Sequence, residues 1–246
     1  MDSHLESFYE TLPYRKNKKQ AVIKLMDALY LKSVNNNVDV WPELYAVDIP
    51  AGNGVTKIEG PKIISKLREF LASKQKYRCC YCQRYLYNIA YARPVEHILP
   101  RAHFPRFSLV MDNLAISCFD CNSKKDDNIW WPTINKLGDY PTKNELAGAF
   151  HYNRHDYDEH IAWVSYATNS FAFSIYTGIS LEGKKLYTDL LQDISKTDIL
   201  LSRKDSLKSS MDALKLFREN GLGGTYVQQF IAELEANLMR DAGTED

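Results

Sequence analysis

Two Cys-x-x-Cys pairs, Cys79/Cys82 and Cys118/Cys121, stand thirty-five residues apart in a chain of 246. If all four thiolates hold one ion, two segments distant in sequence must meet at a point. Four sulfurs suit the tetrahedral demand of Zn²⁺, with bonds of about 2.3 Å, and a closed four-sulfur site is structural. Zinc is therefore expected as a staple, and chemistry is expected in what it holds together. The pairs bracket Glu96-His97, and the second runs directly into Asn122-Ser123-Lys124-Lys125. Cys80, inside the first pair, reads as a bystander. A thioredoxin-like redox pair is the competing reading of a lone Cys-x-x-Cys, but it needs a βαβ context and leaves the second pair unexplained.

An odd number of cysteines, with no basic start or apolar run at the N-terminus, favours reduced thiols and a cytoplasmic setting. No apolar stretch approaches the roughly 18 residues of a membrane span, so no membrane partner is expected. With 45% hydrophobic and 25% charged residues the chain can bury a core of its own. Formal net charge is zero, which argues against a general nucleic-acid coat protein. The distribution is uneven, however: ten Lys or Arg against Glu69 and Glu96 lie between Pro61 and Arg106. That bias would draw a phosphate backbone toward the first pair and the Glu-His; an ordinary solvated helix face is the plainer account of it.

Apolar spacing predicts a helix over Lys16–Leu31 and another over Pro61–Ser73, the second started by its proline. Ser33–Gly60, with its asparagine run, Trp-Pro, Ile-Pro and Gly-Asn-Gly, reads as irregular linking structure. Arg93–Pro100 reads as a strand with Val95, His97 and Leu99 on one side and Glu96 and Ile98 on the other. A short strand or turn at Asn113–Ile116 and a short helix from Asp120 or Cys121 follow. Residues 161–176 read as a β-hairpin about Thr168-Asn169-Ser170, and Ser180–Ile194, Thr197–Glu219 and Thr225–Met239 as three helices. The expected fold is α+β and mostly helical, in three regions: 1–60, a core at 61–135, and 136–246.

Glu96-His97, Asn113 sixteen residues after the histidine, then Cys118-x-x-Cys121-Asn122 and Lys125, resemble the HNH nuclease motif in its zinc-supported form, in the class that ends in Asn instead of His. The resemblance implies a ββα-metal core and hydrolysis of phosphodiester bonds of nucleic acid, DNA ahead of RNA. It implies His97 as general base and Asn113 as the residue that orients it. Glu96 and Asn122 become ligands of a single catalytic Mg²⁺ or Mn²⁺, an ion that prefers such hard oxygens. Lys125, Lys124 and Arg101 are the expected phosphate contacts. Singly, each of these residues has a duller explanation, such as an asparagine cap or a solvated helix end.

Cys79-Cys80-Tyr81-Cys82, Asp112-Asn113-Leu114, Ser117-Cys118 and Asn122-Ser123-Lys124 also resemble the HNH nuclease subunit of Septu-type and retron-associated antiphage systems. That likeness implies an ABC-type or SMC-like ATPase partner, with the helices after Ser180 as the docking surface. The alternative is a zinc-stapled module that binds nucleic acid or protein without cutting. His151, His155 and His160 raise a second metal site as a further possibility, against a hydrogen-bonded polar loop. Tyr81, Tyr85, Tyr87 and Tyr91 are candidates for base stacking, with packing of the first Cys pair as the plainer role.

Overall fold

The computed structural model describes residues 3–51, 57–87, 94–167 and 172–201, which fall into two compact units, 1–155 and 156–246. The first unit opens with α1 (Ser3–Thr11), α2 (Lys16–Asn36), α3 (Trp41–Ala46) and a two-residue antiparallel pair, β1 (Asp48–Ile49) with β2 (Ile58–Glu59). The region expected to be irregular thus carries regular structure. Helix α2 buries Val22, Met26, Leu29 and Ser33 on one face, and it runs on through two asparagines until Asn37 takes a left-handed turn (φ 52°). Pro42 starts α3, whose Leu44 is fully buried.

Helix α4 (Gly60–Lys74) begins with Pro61 in its first turn and buries Ile63, Ile64, Leu67, Phe70 and Leu71, the face read from the sequence. Gly60 is required: a Cβ there would stand 1.9 Å from the Leu44 carbonyl oxygen. The α4 C-terminus delivers the chain into the first Cys pair, and Gln75, just past it, is the joint. Its Oε1 accepts the Ile116 N–H at 2.6 Å, and its Nε2 donates to the Ile116 and Arg78 carbonyls at 2.8 and 2.9 Å. A buried glutamine therefore does the work of a neighbouring strand, so that the polar backbone of Ile116 is satisfied without one.

Strand β3 (Val95–His97) pairs antiparallel with β4 (Leu114–Ile116), in the register Val95↔Ile116, Glu96↔Ala115, His97↔Leu114, and α5 (Phe119–Lys125) follows. This is a ββα arrangement. The strand is shorter than Arg93–Pro100: after His97 the Ile98 N–H goes to the Asn113 carbonyl at 3.0 Å, and the chain leaves on a long loop with two single helical turns, Pro105–Phe107 and Met111–Asn113. Phe104, Phe107, Leu109 and Met111 of that loop are buried, so it is part of the core.

In the second unit, α6 (Tyr157–His160) leads into β5 (Ile161–Ala167), which pairs antiparallel with β6 (Ala172–Gly178). Then α7 (Leu181–Leu186), a π-turn over 187–191 and α8 (Gln192–Leu201) form one continuous helical run, where the sequence suggested a break after Ile194. The centre of the expected turn at 168–170 and the helices expected over 202–239 lie outside the described residues. Among the described residues, no helix is long and apolar enough to cross a membrane.

Candidate active site

The sulfurs of Cys79, Cys82, Cys118 and Cys121 are all buried and lie within 4.8 Å of one another. The Cys82 and Cys118 sulfurs are 3.7 Å apart. A regular tetrahedron with Zn–S bonds of about 2.3 Å has an edge of about 3.8 Å, so the Cys82–Cys118 spacing matches that geometry and the four cysteines could hold a metal such as zinc. Backbone N–H groups of Tyr81 and Cys118 point at the Cys79 sulfur (3.5 and 3.3 Å), and that of Cys121 at the Cys118 sulfur (3.4 Å), the usual support of a thiolate. Cys80 stands outside the group, and burial pushes its thiol well above the ordinary range.

The strand alternation sends two neighbouring side chains to different partners. Glu96 is buried; its Oε1 receives the Lys125 ammonium at 2.7 Å and the Tyr81 hydroxyl at 3.0 Å. Burial pushes its carboxyl up from the usual value, against the pull of Lys125 and Tyr81. His97 turns to Ser108, with Nε2 3.1 Å from the Ser108 carbonyl, and its ring meets Trp41 edge-on at 4.8 Å between centroids. A carbonyl only accepts, so the ring proton sits on Nε2 and the lone pair on Nδ1. Desolvation lowers the His97 pKa to about 4, which keeps the imidazole neutral at pH 7. Glu96, His97, Arg101, Asn122, Asp126, Asp127 and Trp41 line one cavity of about 480 Å³.

The histidine's immediate partner is thus Ser108, and Asn113 acts one step behind it. Asn113 is fully buried; its Oδ1 accepts the Leu99 N–H (2.7 Å) and its Nδ2 donates to the Leu99 and Phe107 carbonyls (3.0 and 3.1 Å). It clamps the two ends of the loop that carries His97 at one side and Ser108 at the other. Behind Asn113 stands a pair the sequence did not reveal. The Tyr140 hydroxyl lies 3.2 Å from Asn113 Oδ1 and 2.6 Å from His151 Nε2. His151 Nδ1 is buried without a partner, so the tautomer protonated at Nε2 leaves only a lone pair bare, and the chain runs His151 to Tyr140 to Asn113. Desolvation and Arg154 hold the His151 pKa down to about 3.

Lys125, expected at a phosphate, is turned inward. Its side chain is wholly buried, pairs with Glu96 and donates to the His97 carbonyl at 3.2 Å. The reason is helical: Lys125 is four residues after Cys121 and shares its face, and Cys121 must point inward to the cluster. Lys124 is exposed, and Arg101 lines the cavity in an ion pair with Asp39. Each of the three C-terminal histidines has a local setting. His155 Nδ1 accepts the His151 N–H (3.0 Å), His160 lies 2.6 Å from the Ser180 hydroxyl, and among the described residues the only group of three or more potential metal ligands is the four cysteines. Tyr81 is fully buried, Tyr85 and Tyr87 are exposed, and Tyr91 lies outside the described residues.

Removing one partner of the buried Glu96–Lys125 pair leaves the other without compensation, at a cost of about 3–5 kcal/mol. Lys125→Met is expected to lower the unfolding free energy by that much in urea titration. Lys125→Met with Glu96→Gln should recover a good part of it; a double variant as unstable as the single would show that the pair is not the cause.

Residues 79–128 match the family described as HNH endonuclease. No curated protein and no solved structure matches. The matched segment holds the cysteine cluster together with Glu96, His97, Asn113 and Asn122, and it suggests a nuclease that uses divalent metal. It covers 50 residues of 246 (79 through 128), so Trp41 and Asp39 at the cavity, and Tyr140 and His151 behind Asn113, lie beyond it.

Proposed function

We propose that the chain is a metal-dependent endonuclease hydrolysing phosphodiester bonds of nucleic acid, DNA foremost. The observation that supports it most is the convergence of Glu96, His97 and Asn122 on one cavity beside a four-cysteine cluster. Glu96 and Asn122 offer hard oxygens, and both protein contacts to Glu96 fall on Oε1, which leaves Oε2 for a cation. Bound there, Mg²⁺ or Mn²⁺ supplies positive charge to the scissile phosphate and the departing 3′ oxygen.

The neutral His97 takes the proton of the attacking water at Nδ1, while Nε2 stays tied to Ser108. As the water oxygen bonds to phosphorus, the bond from phosphorus to the 3′ oxygen breaks, and that oxygen takes a proton from solvent. Asn113 holds the loop that sets the ring, and Arg101 and Lys124 meet neighbouring phosphates. The wider reading is an effector nuclease of an antiphage system, working in the cytoplasm with an ABC-type or SMC-like ATPase that docks on region 136–246, chiefly after Ser180. It rests on the sequence likeness around the two Cys pairs.

The test is cleavage of labelled single- and double-stranded oligonucleotides by zinc-loaded protein, alone and with whatever ATPase a pull-down recovers. Cutting is expected only with added Mg²⁺ or Mn²⁺. Binding with a steep salt dependence, and no cutting with any divalent ion in either sample, would establish the non-catalytic binding module instead.

A further inference from the structure

The cavity beside His97 measures about 480 Å³. A cation and a water need far less, and the volume falls within the roughly 300–1,000 Å³ of small-molecule sites. One wall comes from far upstream. Asp39 Oδ1 accepts the Trp41 main-chain N–H at 2.9 Å, while Asp39 Oδ2 pairs with Arg101, so one carboxylate ties the Trp41 backbone and a guanidinium together at the cavity. Val40 between them is fully buried, and its N–H donates to the Ser108 hydroxyl at 3.2 Å; the Ser108 carbonyl is the one that holds His97. The Asp39–Trp41 loop is therefore stitched to the base-bearing loop at three consecutive residues. Trp41 is only partly buried, although its ring stands perpendicular to that of His97 with 4.8 Å between centroids. An aliphatic side chain would wall the histidine equally well; an indole left partly open adds a π-face.

Resting on the nuclease reading, we propose that Trp41 and Arg101 form a nucleotide subsite adjoining the scissile position. A nucleobase stacks on the Trp41 indole, and the phosphate of that nucleotide meets the Arg101 guanidinium. Within a duplex the bases hide their faces and offer only edges, so the substrate class is single-stranded nucleic acid. Pinning by Asp39 fixes the guanidinium before the nucleotide arrives, which reduces the ordering cost of binding.

The experiment uses full-length, zinc-loaded protein with no added divalent ion, so that binding is read without turnover. Fluorescence anisotropy follows a labelled thymidine oligomer and a hairpin duplex of matched length. Base stacking on an aromatic is worth about 5- to 150-fold in affinity. Trp41→Leu is expected to weaken the single strand by about tenfold, Trp41→Phe to stay close to wild type, and hairpin binding to be alike in all three. Wild-type affinity in a zinc-retaining Trp41→Leu, a preference for the hairpin, or no binding of the single strand overturns the proposal. If Trp41→Leu loses zinc, quenching of tryptophan fluorescence by the oligomer decides: it must be smaller in Trp41→Phe than in wild type, and equal quenching overturns the subsite. Cutting with no Trp41 dependence ends the subsite and leaves the nuclease reading intact. Trp41-dependent binding with no cutting in any divalent ion does the reverse.

Discussion

Cys118→Ser or Cys79→Ser is expected to unfold the segment gathered by the four cysteines outright, with loss of the zinc proposed there and of cooperative melting. Structural zinc contributes apparent binding energies of about 10–16 kcal/mol in small domains, and that energy is folding energy. A whole domain is stable by only about 5–15 kcal/mol, so no other contact among the described residues of the first unit has the size to compensate. The geometry makes the dependence specific. Cys79 and Cys118 reach the cluster from segments whose direct backbone links include the hydrogen bond from Cys80 to Ile116, at 2.9 Å, and the bridging Gln75. Without the ion, four buried thiols face one another in place of hydrocarbon. Cys80→Ala is the control: it sits in the same turn but outside the cluster and should keep zinc. Metal analysis with thermal melting by circular dichroism checks both, and full zinc with unchanged melting in Cys118→Ser would remove the staple from the account.

His97→Ala is expected to lower the cleavage rate by about 10²–10⁴-fold, the usual worth of a positioned general base. Zinc content should be unchanged. The ring is neutral when buried, so its removal strands no charge; it leaves the Ser108 carbonyl without its donor and a gap beside Trp41. Those costs belong to stability and are modest, whereas the lost proton acceptor belongs to the reaction. Rates measured under single turnover on a labelled oligonucleotide separate the two. A variant that cuts as fast as wild type would take the base role away from His97.

The parts of the molecule governed by local spacing were legible in the sequence. The two Cys pairs foretold a buried four-sulfur cluster, because tetrahedral chemistry leaves few other arrangements. The α4 face and the β3–β4–α5 order followed from apolar periodicity and from the motif. Lys125 lies inside, where its four-residue offset from the inward Cys121 already places it. The remaining misses depend on contacts between residues far apart in the chain. Nothing local marks Ser108 as the partner of His97, Gln75 as a substitute strand for Ile116, or Asp39 as the brace of Arg101. His151 read as part of a polar loop and Tyr140 drew no reading at all, because burial, which turns them into support for Asn113, has no signature in a mixed polar and aromatic stretch.

The proposed cleavage depends above all on Glu96 and Asn122 sharing one cation beside His97. Mn²⁺ titrated into zinc-loaded protein and followed by electron paramagnetic resonance tests this directly. We expect a single tight Mn²⁺ site per chain, weakened by at least about tenfold in Glu96→Gln and again in Asn122→Ala, since even supporting residues of a metal site cost that much. Equal Mn²⁺ affinity in wild type and both variants, with zinc retained in all three, would contradict it.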